Sequence, residues 1–394
     1  MEVNAGMGRR GLLGAAAAAV ATVGLGCAPG KAARADLPAG KAGRASAAGP
    51  RPLHLGTYTS VDGGGKGVAL ATYQPTTGAI TSTGVVTGVG DPSFLAIGPS
   101  GGTLYTVNER AQGAVTAIAL NGGGTPKVLG SRPTGGAGPC HLSVHPGGRH
   151  LFSANYDSGS VAVHPIGADG RLGARTALVR HTSPPPGPGQ DGPHAHQIIT
   201  APDGRFVLAV DLGNDTVYTY RLDDAAGTLH QVSFAALRPG AGPRSLTFHP
   251  GGRFAYLANE LDNTVVVCGY DPSTGKLAPG APQSTGTGNG TNYPAQLLVT
   301  ADGAFAYLAN RGHNSITRYA VESGGSALRL LDTVPVGGDF PRHIAFDPTG
   351  RLLFAANQRS ATVTVLTVDS RSGKLAPAGR PFAAPGVVCV LPSP

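Results

Sequence analysis

Six times between Pro92 and Gln358 the chain returns to one phrase: a proline, a short apolar strand, a glycine turn, and a second strand. The phrase reads PSFLAIGPSGGTLYTVNE from Pro92, PCHLSVHPGGRHLFSANY from Pro139 and PHAHQIITAPDGRFVLAVDL from Pro193. It returns as PRSLTFHPGGRFAYLANE from Pro243, PAQLLVTADGAFAYLANR from Pro294 and PRHIAFDPTGRLLFAANQ from Pro341. The leading prolines stand 47, 54, 50, 51 and 47 residues apart. That is the period of a propeller blade rather than of a helical or leucine-rich solenoid. In a ring of blades, function is expected where the innermost strands begin, around the central channel.

The fourth echo shows how a blade is written. Pro243–His249 is a short apolar strand, and Pro250-Gly251-Gly252 is a turn in which glycine supplies positive φ. Phe254–Asn259 alternates as a second strand, Thr264–Tyr270 is a β-branched third, and the polar stretch after DPSTGKL becomes the outer fourth. Four antiparallel strands per unit make a propeller blade. No window outside the N-terminal segment sustains a 3.6-residue period, so the fold class is all-β.

Six echoes leave strands unassigned at both ends. Before Pro92 stand the runs Leu53–Thr59, Gly67–Gln74 and Ile80–Gly88, and after the sixth echo comes Pro385–Val390. Three N-terminal strands and one C-terminal strand make a seventh blade. Sharing it between the two ends closes the ring and protects both sheet edges.

The N-terminal residues have a different composition. Arg9-Arg10 precede the apolar run Leu12–Gly26, and small residues lead to Cys27. This pattern reads as an export signal over 1–27, twin-arginine-like in GRRGLLG and lipoprotein-like in VGLGCAPG, with Cys27 as the lipidated residue. Gly24 stands where a lipoprotein site expects an aliphatic residue, and Ala33-Arg34-Ala35 offers an ordinary cleavage site instead. Residues 28–52 read as a disordered tether, and 53–394 as the propeller. The expected location is extracytoplasmic, secreted or held at a membrane only through a lipidated N-terminus. A start at Met7 or later would leave the protein cytoplasmic.

The formal charge of +8 comes largely from those first 52 residues, which carry +5. The blades hold no Lys/Arg cluster with interleaved aromatics, so nucleic acid is not an expected partner. Beyond Cys27, Cys140, Cys268 and Cys389 are odd in number and irregular in spacing, which fits buried thiols rather than a disulfide framework or a CxxC metal site. The chain is expected to be a monomer and to need no cofactor.

Chemistry is sought where the blades depart from one another. His141, His194 with His196, Arg244, Arg342 and His343 follow the leading prolines, where core packing asks for no cation. Facing a channel mouth, they would hold an anion, arginine doing so in bidentate fashion; the alternative is filling the channel through water. His194 and His196, two apart on a strand, would face one side and form half of a zinc site, but no further ligands accompany them. The expected metal content is none. Glu260 ends the "LANE" strand, Arg311 the equivalent "LANR" strand, and Glu109 the "TVNE" strand. Asn108, Asn155, Asn259, Asn310 and Asn357 recur at one position and so read as structural.

The segments HLGTYTS, PCHLSVHPGGRHLFSANYDSGSVAV, PHAHQ, VDLGNDTVYTY, GPRSLTFHPGGRFAYLANEL, LANRGHNSIT and VVCV together resemble the seven-bladed propeller lactonases. That family includes propeller-type 6-phosphogluconolactonases and fungal carboxy-cis,cis-muconate lactonising enzymes. The resemblance runs from about residue 53 to the end. It implies a hydrolase acting on a small anionic or sugar-acid lactone. It implies His196 of "HAH", Arg244 of "GPR", Glu260 of "NEL" and Arg311 of "NRGH" as catalytic, with Arg342 of "PRHI" as the other arginine candidate. Substrate contacts are then expected from His194, His141 and Arg342. The chain departs from the pattern at Gln296-Leu297-Leu298, where the family often has an acid and a histidine, and at Ser245, where it has histidine. The competing expectation is a non-catalytic exported propeller that binds a sugar acid or a partner protein.

Overall fold

The computed structural model describes residues 49–121, 124–182, 187, 190–288 and 290–393. The expected export signal with Cys27, and the expected tether up to residue 48, lie outside the described residues. The first strand begins at Arg51, two residues ahead of the Leu53 expected from the apolar pattern.

Seven antiparallel sheets of four strands follow one another in the order the repeat implies. Blade four, for example, is Pro243–Phe248, Phe254–Asn259, Thr264–Asp271 and Lys276–Ser284, innermost to outermost. Blade six splits its outer edge into Leu375–Pro377 and Phe382–Ala383, both paired with Thr362–Val368. The seventh blade joins the ends: Val387–Pro392 is its innermost strand and pairs antiparallel with Arg51–Thr57. Helix among the described residues amounts to the 3-10 turn Ser323–Gly325 and one further 3-10 residue, Asn121. None is long and apolar enough to cross a membrane.

The alternating strands bury their apolar faces between blades. Phe206, Leu208 and Val210 of blade three pack with Leu246, Leu257 and Val266 of blade four, all 2% exposed or less. Leu53, Leu55 and Tyr73 of the closing blade pack likewise on Phe354 and Val363 of blade six. Each such side chain contributes about 1.5–3 kcal/mol when fully buried, and only a neighbouring blade can bury it. Tyrosines clamp the same seams. Tyr105, Tyr256 and Tyr307 donate to the carbonyls of Gly170, Gly325 and Gly373, each in a turn of the next blade, at 3.0, 2.9 and 2.6 Å.

Position in the innermost strands is set by a repeated bulge. Pro139 pairs with Asn155, Pro243 with Asn259 and Pro341 with Asn357, and in each case one residue is then skipped before pairing resumes at His141, Ser245 and His343. In blade three the residue in the proline's slot is Ala195, which pairs with Asp211; pairing resumes at Gln197. Pro193 is therefore not the structural counterpart of the other leading prolines. The connection from His181 to His194 is longer in this blade, and it carries the proline two residues ahead of the strand. The i, i+2 reading of His194 and His196 fails for the same reason: His194 precedes strand Ala195–Thr200, and His196 occupies the bulge.

Candidate active site

A bulge breaks the strict alternation of a strand and lets two successive side chains face one way. The channel is built on that property. Cys140 with His141, His196 with Gln197, Arg244 with Ser245, and Arg342 with His343 all line one chamber, joined by Ser93, Phe94, Gln296 and Val388. The chamber has about 20 Å³ open to the centre of a water molecule, room for about one solvent molecule. A molecule the size of a sugar ring does not fit, so a ligand of that size would meet the residues around the mouth.

The mouth is formed by whatever follows the recurring asparagine. The asparagines themselves are braces: Asn108 donates to the Gly90 carbonyl, Asn259 to Thr264 and Asn310 to Thr317, at 2.8, 3.0 and 2.9 Å. The next residue varies, giving Glu109, Tyr156, Glu260, Arg311 and Gln358 in five blades, while Tyr58 follows Thr57 in the closing blade. Glu260 Oε2 lies 2.9 Å from Arg244 Nε and 2.5 Å from Arg311 Nη2, so one oxygen serves two guanidinia from different blades. Arg311 is further fixed by donating to the carbonyls of Tyr293 and Pro294 at 3.1 and 3.3 Å. Across the mouth, Glu109 Oε1 accepts from Tyr58 Oη at 3.0 Å and stands 3.7 Å from Arg342 Nη2. The Arg342 guanidinium lies over the Tyr58 ring, 5.8 Å from its centroid.

Three guanidinia thus face two carboxylates, and one formal positive charge is left over. Burial and these charges together shift the neighbouring groups. Burial opposes ionisation of Glu260, but Arg311 and Arg244 outweigh it and hold the carboxyl below its ordinary range. Burial and the nearby Arg311 lower Arg244 to about 9, even with Glu260 beside it. His196 is driven well below 6.5 by burial first and then by Arg244, Arg342 and Arg311, so its imidazole is neutral. Tyr156 sits edge-on to His196 with ring centroids 5.7 Å apart, and burial pushes its phenol up to about 12.

The structure brings together His196, Arg244, Glu260 and Arg311, with Arg342 and His141 on the same channel. It leaves His194 out. That imidazole stacks on Tyr156 at 4.4 Å, with Nδ1 on the Tyr156 carbonyl at 3.0 Å and Nε2 on Asp191 Oδ1 at 2.8 Å. Both nitrogens are committed, and the ring fastens the long connection to blade two. Tyr58, Tyr156, Gln197 and Gln296 were not singled out by the sequence reading. For Tyr156 the positional signal was available, since it follows Asn155 as Glu260 follows Asn259, whereas Tyr58 follows Thr57. Among the described residues no three of His, Cys, Asp and Glu stand close enough to hold a metal ion.

Comparison with known proteins agrees with this architecture. Residues 52–392 match the family model described as Lactonase, 7-bladed beta-propeller. The 6-phosphogluconolactonase of Bacillus subtilis is 33% identical, with 86% of this chain and 97% of that protein covered. A Lactobacillus plantarum protein of known crystal structure superposes with a TM-score of 0.82 at 32% identity, covering 88% of this chain and 100% of the other. The periplasmic gluconolactonase of Pseudomonas aeruginosa superposes with a TM-score of 0.80 at 29% identity, covering 87% and 99%.

Proposed function

The chain belongs to the seven-bladed β-propeller lactonase family and is a lactone-hydrolysing enzyme; we propose that its substrate is an anionic or sugar-acid lactone bound at the channel mouth. The observation that carries this reading is the uncompensated positive charge where Glu260 bridges Arg244 and Arg311 and Arg342 faces Glu109. An anionic group on the substrate supplies the missing charge, and arginine offers it bidentate geometry.

In the proposed reaction, water attacks the lactone carbonyl carbon while His196 takes the water proton at a ring nitrogen. Arg311 and Arg244 face the charge that develops on the carbonyl oxygen. Collapse of the tetrahedral intermediate breaks the ring C–O bond. The leaving alkoxide recovers the proton from His196, and the product is an open hydroxy acid. A free imidazole held so far below 6.5 is a weak base. Substrate binding offsets part of that: an anion beside the three arginines counters their share of the depression, while the share due to burial stays. Glu260 holds the two guanidinia in register. The chemistry is proposed to need no metal, since a net positive mouth repels a divalent cation.

The test is hydrolysis of a lactone panel by the purified protein, before and after thorough chelation. Retained turnover of an acidic or aldonic lactone is expected. Loss on chelation with recovery by zinc or calcium would overturn the metal-free mechanism. We also infer an extracytoplasmic location from Arg9-Arg10 and the apolar run after it. The Pseudomonas aeruginosa relative, itself periplasmic, supports that reading. Mass analysis of the N-terminus of the native protein checks it, with an intact Met1 as the contrary result.

A further inference from the structure

We propose that the channel chamber binds one monatomic anion of halide size, below the mouth where the lactone is proposed to bind and sharing Arg244, Arg342 and His196 with it. Its lining contains two guanidinium groups, Arg244 and Arg342, and no carboxylate. The other polar groups are set up mainly as donors. His141 Nδ1 accepts the Ile198 N–H and His343 Nδ1 accepts the Val390 N–H, each at 3.4 Å, so each ring carries its proton on Nε2. Gln197 Oε1 accepts the Leu246 N–H at 2.6 Å, which leaves the amide NH₂ as its uncommitted end. Ser93 and Ser245 are 4% and 2% exposed, and their hydroxyls have no hydrogen-bond partner among the described residues.

Buried polar groups without partners are costly, so a lining of this kind implies a ligand that accepts many hydrogen bonds. A water molecule accepts two and must also place two hydrogens of its own. An anion uses donors alone and adds Coulomb attraction to two buried arginines. Size narrows the class. About 20 Å³ open to the centre of a water molecule accommodates one small sphere, and tetrahedral oxyanions such as sulfate need more. The apolar part of the lining also suits a halide: the Phe94 ring lies 4.2 Å from the His141 ring and 5.3 Å from that of His343. Phe94, His141, His343, Ser245 and Gln197 come from five blades, so a bound ion would tie most of the ring together.

The test is crystallographic and thermal, and neither arm needs turnover, so it stands or falls separately from the lactone reading. Crystals of the full chain are soaked in sodium bromide, and anomalous difference density is calculated. A bromide peak within hydrogen-bonding distance of Ser245 and His343 Nε2 is expected. Thermal unfolding is then followed against chloride, with sodium sulfate replacing it at constant ionic strength. A ligand that binds only the folded state raises Tm saturably with its concentration; chloride is expected to do so and sulfate is not. In Gln296→Glu, which puts a carboxylate into the lining, the chloride-dependent rise is expected to vanish. Water alone in the chamber of bromide-soaked crystals, or equal effects of chloride and sulfate on the wild type, would overturn the proposal. Should Gln296→Glu fail to fold, the wild-type bromide map decides.

Discussion

Glu260 gives a single oxygen to two guanidinia on neighbouring blades, and that sharing makes it the most consequential side chain at the mouth. Glu260→Gln keeps the shape and removes the charge, leaving Arg244 and Arg311 to repel each other. Losses on the order of 10²–10³ in kcat/KM are expected from steady-state kinetics, as for removal of an electrostatic contact to the transition state. An unchanged kcat/KM would take Glu260 out of the machinery. The buried histidines predict a second behaviour. Burial, with His343 and Arg244 nearby, lowers His141 from 6.5 to about 3. Between those values the unfolded chain binds a proton that the folded chain refuses. The stability this histidine contributes is therefore complete above about pH 6.5 and is lost as pH falls towards 3, by up to about 1.4 kcal/mol per pH unit. Urea unfolding at pH 7.5, 5.5 and 4.5 reads that slope, and His141→Asn is expected to flatten it. Residues that differ between blades at one slot were legible in the sequence, which is how Arg244, Glu260 and Arg311 stood out. Tyr58 has no such slot signal, since it follows Thr57, and Tyr156, though in the slot after Asn155, reads as packing until the register puts it beside His196.

At the scale of the strand, the bulge after each leading residue converts a repeat into a lined channel. In blade four the turn ahead of the bulge depends on a left-handed residue. Gly242 has φ +62°, and a Cβ there would lie 2.4 Å from Leu261 Cγ. Its carbonyl also accepts the Glu260 N–H at 2.7 Å. Gly242→Val therefore strains the backbone and pushes on the loop that carries Glu260. A loss of about 1–3 kcal/mol in urea unfolding is expected, together with lower kcat/KM; full activity with unchanged stability would contradict this. The strand scale also shows where periodicity misleads. Spacing made Pro193 the third leading proline, yet the pairing partner of Asp211 is Ala195. A long connection shifts residues along the chain without shifting the sheet, and only hydrogen-bond register reveals it. The paired lining, such as Arg244 with Ser245, was hidden for the same reason: period two assigns adjacent residues to opposite faces.

For the whole molecule, closure was readable because the strands left over at the two ends add up to one blade. Val387–Pro392 supplies the innermost strand of that blade and packs Val387 and Val390 against blade six. Removing residues 387–391 would expose apolar faces on both sides of the break. No cooperative unfolding transition is expected for that truncation by circular dichroism. A truncated chain with a near-native Tm would show instead that the ring tolerates an open seam. The ring also explains why function gathers at one mouth, since the starts of the innermost strands converge there with the residues that follow the five recurring asparagines. The most direct test of the account is kcat/KM for an acidic lactone and its uncharged analogue, measured with the wild type and with Arg244→Ala. The account predicts that the wild type prefers the acidic lactone and that Arg244→Ala loses most of that preference while remaining folded. Absence of turnover on every lactone by the folded wild type, or a preference untouched in Arg244→Ala, would contradict it.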